Sequence, residues 1–186
     1  MKSIRLSKRA TTVALASLFS VGAAVVGPAH AGSTPANLAV SASVAANCTI
    51  STSAVAFGPY DPIVTNATSA LNGSGSVTIA CTKGSAPSIT LDLGANPAGS
   101  QRNMLVVGGG TDVLPYQLYQ PPSTTPSTAC TFPGSQVWGT NGSAIFTPTA
   151  PTTKSGRTYN VCGTVAAGQD VSVGTYQDTV VATVNF

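Results

Sequence analysis

The sequence predicts an all-β protein, an immunoglobulin-like β-sandwich with largely antiparallel sheets. Three observations carry that reading. Short segments in which apolar and polar residues alternate recur along the chain, separated by Gly, Pro and Asn turn signals. No stretch keeps a helical period, so no helical crossover is on hand to join parallel strands. The composition is rich in Gly, Ser, Thr, Ala, Val and Pro, with few charges and no Glu, which suits pleated, half-buried surfaces.

The chain opens with Lys2, Arg5, Lys8 and Arg9, then an apolar run over 10–26, then Ala29-His30-Ala31. A basic start, an apolar middle and a small-x-small site make residues 1–31 a secretory signal peptide, cleaved after Ala31. Only Lys83, Arg102, Lys154 and Arg157 then remain against Asp61, Asp92, Asp112, Asp170 and Asp178, a net charge of −1. The basicity of the whole chain belongs to the signal, and no basic stripe is left for nucleic acid.

Residues 32–47 form an N-terminal arm, and within it 38–46 alternate strictly. Leu38, Val40, Ala42, Val44 and Ala46 share one face; Ala39, Ser41, Ser43 and Ala45 share the other. An uncharged apolar strand on a free arm must find a sheet edge, in its own domain or in a neighbour's. We expect the neighbour's.

Residues 48–186 form the domain. Strands are expected over 48–57, ended by Gly58-Pro59-Tyr60-Asp61-Pro62, and over 75–82 after a polar loop through Asn72-Gly73. Another follows at 88–93. The runs 104–107 and 113–120, joined across Gly108-Gly109-Gly110, form a hairpin. The Pro/Ser/Thr loop 121–134 holds Cys130, and a bridge from it would pin the loop. Short runs at 136–138 and 144–147 precede a strand over 158–165. The closing stretch 174–186 reads as one strand, with Tyr176, Val180, Ala182, Val184 and Phe186 in phase. The sequence stops inside that stretch, and the expectation is that no further strand follows it.

Cys48, Cys81, Cys130 and Cys162 are an even set in a secreted chain, so two disulfides are expected. Three pairings are possible; Cys48–Cys81 with Cys130–Cys162 is preferred because it closes two loops of similar length. His30 leaves with the signal, which removes Ser-His-Asp and Cys-His catalysis and the usual zinc sets. The isolated Asp residues read as turn or cap residues, the triple glycine as a turn, and Trp138 as a core or loop anchor. The Asn-x-Ser/Thr sequons at Asn47, Asn66, Asn72 and Asn141 are expected by chance in so Ser/Thr-rich a chain. No enzyme, cofactor or metal is expected.

Several landmarks in order resemble the spore coat protein U-like family, the pilin domain of archaic chaperone–usher pili. They are Ala46-Asn47-Cys48-Thr49-Ile50, Phe57-Gly58-Pro59-Tyr60-Asp61, Gly75-Ser76-Val77-Thr78-Ile79-Ala80-Cys81-Thr82, Tyr116-Gln117-Leu118-Tyr119, Val137-Trp138-Gly139, and the ending that begins Gly174-Thr175-Tyr176-Gln177-Asp178-Thr179-Val180. The resemblance implies a sandwich lacking its final strand, completed first by a periplasmic chaperone and then by a neighbouring pilin's arm during export through an outer-membrane usher. It implies Leu38, Val40, Ala42 and Val44 as the donor strand, Val180, Ala182, Val184 and Phe186 as the edge of the acceptor groove, and a Cys48–Cys81 disulfide. Cys130 and Cys162 depart from the family's simpler pattern. The function implied is a surface pilus subunit supporting adhesion and biofilm formation; the alternative is a self-contained secreted coat or binding domain.

Overall fold

The computed structural model describes residues 27–186. The expected signal peptide lies mostly outside them. The chain divides into two units, Met1–Ser41 and Ala42–Phe186. In the first, the described residues are exposed and carry no regular secondary structure.

The second unit is built from eight strands: β1 (Cys48–Ala56), β2 (Leu71–Cys81), β3 (Ser88–Leu91), β4 (Arg102–Val106), β5 (Val113–Tyr119), β6 (Arg157–Val165), β7 (Tyr176–Gln177) and β8 (Ala182–Asn185). Six make one antiparallel sheet in the order β1-β2-β6-β5-β4-β7, and β3 pairs with β8 in a small second sheet. The core lies between them, around Val77, Ile79, Ile89, Leu91, Tyr159 and Val165. A single 3₁₀ turn, Gly142–Ala144, is the one helical element among the described residues.

Residues 137–146 tie the two layers together. Val137 bridges Tyr119 of β5, and Phe146 bridges Ile89 of β3. Trp138 is fully buried; its indole N–H donates to the Ile89 carbonyl at 2.9 Å, and its ring lies 5.0 Å from Phe146. A buried indole needs such an acceptor, and Trp138 is the core anchor that the sequence suggests.

β5 covers β6 only over Cys162–Val165. The first half of β6 is thus free on that side, and the 121–134 loop occupies it. Ser127 N–H donates to the Thr158 carbonyl at 2.8 Å, Asn160 Nδ2 donates to the Thr128 carbonyl at 2.7 Å, and Cys130 is bonded to Cys162. Cys48 is bonded to Cys81, joining the first residue of β1 to the last of β2.

Two expectations need correction. β2 begins at Leu71 rather than Gly75, so Asn72-Gly73 is strand and not loop. The pairing of Leu71 through Ile79 with β6 outweighs the local turn preference. The closing stretch is two strands, not one: β7 joins β4 in the large sheet, β8 joins β3 in the small one, and residues 178–181 cross between them.

Candidate functional site

The site grows from the outer edge of β1. Ser53 pairs with Ser76 and Ala56 with Ser74, so Ala54 and Val55 together face Gly75 in a β-bulge. Glycine is required there. A Cβ on Gly75 would lie 2.6 Å from the Ser53 carbonyl oxygen, and one on Gly163 would lie 2.7 Å from the Phe57 ring. The bulge turns Val55 and Phe57 inward over this glycine seam, and Phe57 meets Tyr116 edge-on with ring centroids 6.0 Å apart.

β1 is paired on one side only. β8 lies close to it without a ladder between them. Residues 52–57 line one wall of a long groove, and residues 176–180 with Ala182 line the other. Since β1 and β7 are opposite edges of one sheet, that sheet is curled until its edges face each other. The floor is apolar: Val77, Leu91, Met104, Leu118 and Val161, with the Tyr116 ring. The groove comprises two adjoining cavities of ≈ 540 and ≈ 610 Å³, the second extending past Leu71, Leu114 and Val165 to residues 171–176.

Beneath the second wall lies a polar network. Asp178 accepts the Tyr116 hydroxyl at 2.6 Å, the Ala95 N–H at 2.8 Å, its neighbour Thr179 N–H at 2.9 Å, and Asn96 Nδ2 at 3.3 Å. Asp92 Oδ1 accepts Val181 N–H at 2.9 Å and Gly94 N–H at 2.9 Å. Arg102, fully buried, donates to the carbonyls of Asp92 and Trp138 at 2.6 and 2.7 Å and to Gln117 Oε1 at 3.0 Å. Burial lowers the Arg102 pKa from its ordinary value, and nearby Tyr116, Asp92 and Asp178 oppose that. The Tyr116 phenol is pushed well up, first by burial and then by its bond to Asp178.

The chemistry available is association. An apolar floor excludes water, while the unpaired sides of β1 and β8 keep main-chain donors and acceptors open. A further strand would find both ladder partners and burial there. Among the described residues, no cluster of His, Cys, Asp or Glu could hold a metal.

The chain belongs to the Spore Coat Protein U domain family. The family model matches residues 34–183, which include most of the arm and nearly all of the domain. Protein U of Myxococcus xanthus is 34% identical to this chain over 173 residues, 86% of this chain and 88% of that one. In fold, this member is similar to a solved complex of Acinetobacter baumannii, the CsuC–CsuE chaperone–tip adhesion subunit pre-assembly complex of archaic chaperone–usher Csu pili. The TM-score is 0.53 at 23% identity, covering 77% of this chain and 40% of that chain. That likeness shows a shared fold; the chain spans well under half the length of that neighbour.

Of the residues expected at the acceptor edge, Val180 and Ala182 line the groove. Val184 packs against the core, and Phe186 is 55% exposed. The break between β7 and β8 takes the last residues away from the lining. In the arm, Leu38, Val40 and Val44 are 87, 87 and 85% exposed, and Ala42 is exposed too. Sequence reasoning missed the first wall at residues 52–57, the floor, and the Asp178 network. The Phe-Gly-Pro-Tyr-Asp motif that starts at Phe57, within the same wall, is the signal that could have pointed to it.

Proposed function

We propose that this protein is a structural subunit of a surface pilus built by the chaperone–usher pathway through donor-strand exchange. One observation carries the reading: an apolar groove between two unpaired strand edges, in a chain that also carries an exposed, uncharged, alternating arm. Leu38, Val40, Ala42 and Val44 of one copy enter the groove of the next, where Val180 and Ala182 stand on the wall. Residues 32–47 serve as the arm and 48–186 as the receiving domain. The partners are other copies or related pilins, a periplasmic chaperone that fills the groove first, and an outer-membrane usher. The fold neighbour, solved as a chaperone–subunit complex, supports that order of partners.

The energetics agree. An open groove with two bare edges is an aggregation template, so a chaperone has work to do. Burying four small-to-medium apolar side chains contributes roughly 5–8 kcal/mol, and ladder hydrogen bonds add a smaller net amount. Head-to-tail addition does not close on itself, so it yields a fibre. The product is exported to the cell surface and supports adhesion and biofilm formation. The role is mechanical rather than catalytic, and it needs no cofactor or metal.

Deleting residues 32–46 tests this. The truncated subunit should still bind its chaperone and should enter no polymer, whereas the intact subunit should give ladders on a denaturing gel that collapse only on heating. Normal fibres from the truncated subunit would overturn the reading. The description of the family as a spore coat domain favours one alternative, a self-contained coat domain; a purified mature chain that stays monomeric without chaperone would support it.

A further inference from the structure

The part of the groove wall formed by residues 178–180, with Val181 beside it, belongs to neither sheet. It is the crossover between β7 and β8, and its main chain has no ladder to hold it. Side chains and one main-chain bond hold it instead. Asp178 reaches Ala95 and Asn96 of the β3–β4 connection on one side and Tyr116 of the groove floor on another. Asp92 takes the Val181 N–H, while its own N–H donates to the Val181 carbonyl at 3.1 Å. The β3–β4 connection is built to receive Asp178 closely. Gly94 has φ +80°, and a Cβ there would collide with the carboxylate.

We infer that Asp178 is a positioning residue that holds the crossover wall in its strand-receiving shape before any strand arrives, through Tyr116 and the Ala95 N–H. The inference rests on the donor-strand reading and adds to it a specific determinant of how fast the groove is filled. Without this tie the wall moves as a loop, and only the fraction of molecules with the wall in place accepts a strand, so the apparent association rate falls to that fraction of its original value. Once a strand is seated, its own ladder holds the wall, so release is little changed.

The experiment uses the mature chain, residues 32–186, kept dilute enough to stay monomeric by light scattering, mixed with an excess of a fluorescent synthetic peptide of residues 32–46 that outcompetes the arms of other copies. Asp178→Ala should slow peptide association by roughly tenfold while leaving release within about twofold, because the missing tie matters only while no seated strand holds the wall. Asp178→Asn should restore most of the rate, since its carbonyl oxygen still accepts from Ala95 and its amide can donate to the Tyr116 oxygen. Hydrogen exchange separates positioning from general weakening: in Asp178→Ala the Val181 and Thr179 amides should exchange faster, with Ile79 and Val161 still protected. Should Asp178→Ala fail to fold, Tyr116→Phe, which removes only the hydroxyl, should slow association about threefold. Wild-type uptake with unchanged association in these variants, or uniform loss of protection across β2 and β6, overturns the inference alone. No uptake by the monomeric wild-type chain overturns the donor-strand reading and this inference with it.

Discussion

At the scale of single residues, burial rather than residue type decides what the polar groups do. Tyr116 is 5% exposed, and its phenol is pushed up by burial, by the bond to Asp178 and by that carboxylate's charge. In the unfolded chain the phenol ionises near pH 10, to about the ordinary tyrosine value. The folded-state pKa is the higher one, so the stabilisation is fully present below pH ~10 and is lost as the pH rises above it. Denaturant midpoints should therefore start to fall above about pH 10, and Tyr116→Phe should flatten part of that fall. A midpoint indifferent to alkali in both proteins would contradict the burial of Tyr116. Asp61 behaves in the opposite sense. Its carboxylate accepts the Ile63 and Val64 N–H groups and is held below its usual pKa by those bonds, the turn-capping role that the sequence suggests. Asn66 is almost fully buried, with its side chain bonded to Asp61 N–H and the Ser69 carbonyl, so its sequon is closed to modification in the folded chain.

At the scale of elements, the glycine seam sets how close β1 can lie to the strands beneath it. An added methyl at Gly163 would crowd both the Phe57 ring and the Val55 side chain at 2.7–2.8 Å, whereas at Gly156 its nearest neighbour, the Thr78 methyl, is at an ordinary 3.5 Å. Gly163→Ala should lower the unfolding free energy by about 1–3 kcal/mol. Gly156→Ala should change it by no more than about 0.5 kcal/mol; urea titration reads both. Much at this scale was legible in the sequence, because alternation marks half-buried strands directly. The hairpin across Gly108–Gly110, the pinned 121–134 loop and the buried Trp138 all appear in the structure. Two features were not legible. Asn72-Gly73 carries a strong local turn signal, and only long-range pairing with β6 overrides it. The break in the closing stretch is invisible to periodicity, because Tyr176, Val180 and Ala182 stay in phase while the chain changes partners. The groove was legible as an expectation of an open edge but not as a set of residues. Its floor is drawn from β2 to β6, and no local pattern reports such a gathering.

At the scale of the whole molecule, the fold leaves edges bare on both sides of an apolar cleft, and stability should depend on what fills it. Moving residues 32–46 from the start of the mature chain to a position after Phe186, through a short Gly/Ser linker, lets one molecule fill its own groove. That rearranged chain should be monomeric by light scattering. It should melt more than about 10 °C above the chain with the arm simply deleted. Equal melting temperatures would mean that the arm does not occupy the groove.

The arm joins the domain at a reinforced point. Thr82 Oγ1 accepts the Asn47 N–H at 3.1 Å, Thr82 N–H donates to the Asn47 carbonyl at 2.8 Å, and the next residue is covalently tied across to Cys81. In a fibre, every pull on the arm would arrive at that point. Without the bond, tension would open the β1–β2 ladder one rung at a time, like a zip. With it, the load bypasses the first rung and is shared with β2, a central strand flanked on both sides. In such a fibre the disulfide that looks like a folding staple would also serve as strain relief for a tether, placed where a chain of subunits would otherwise tear.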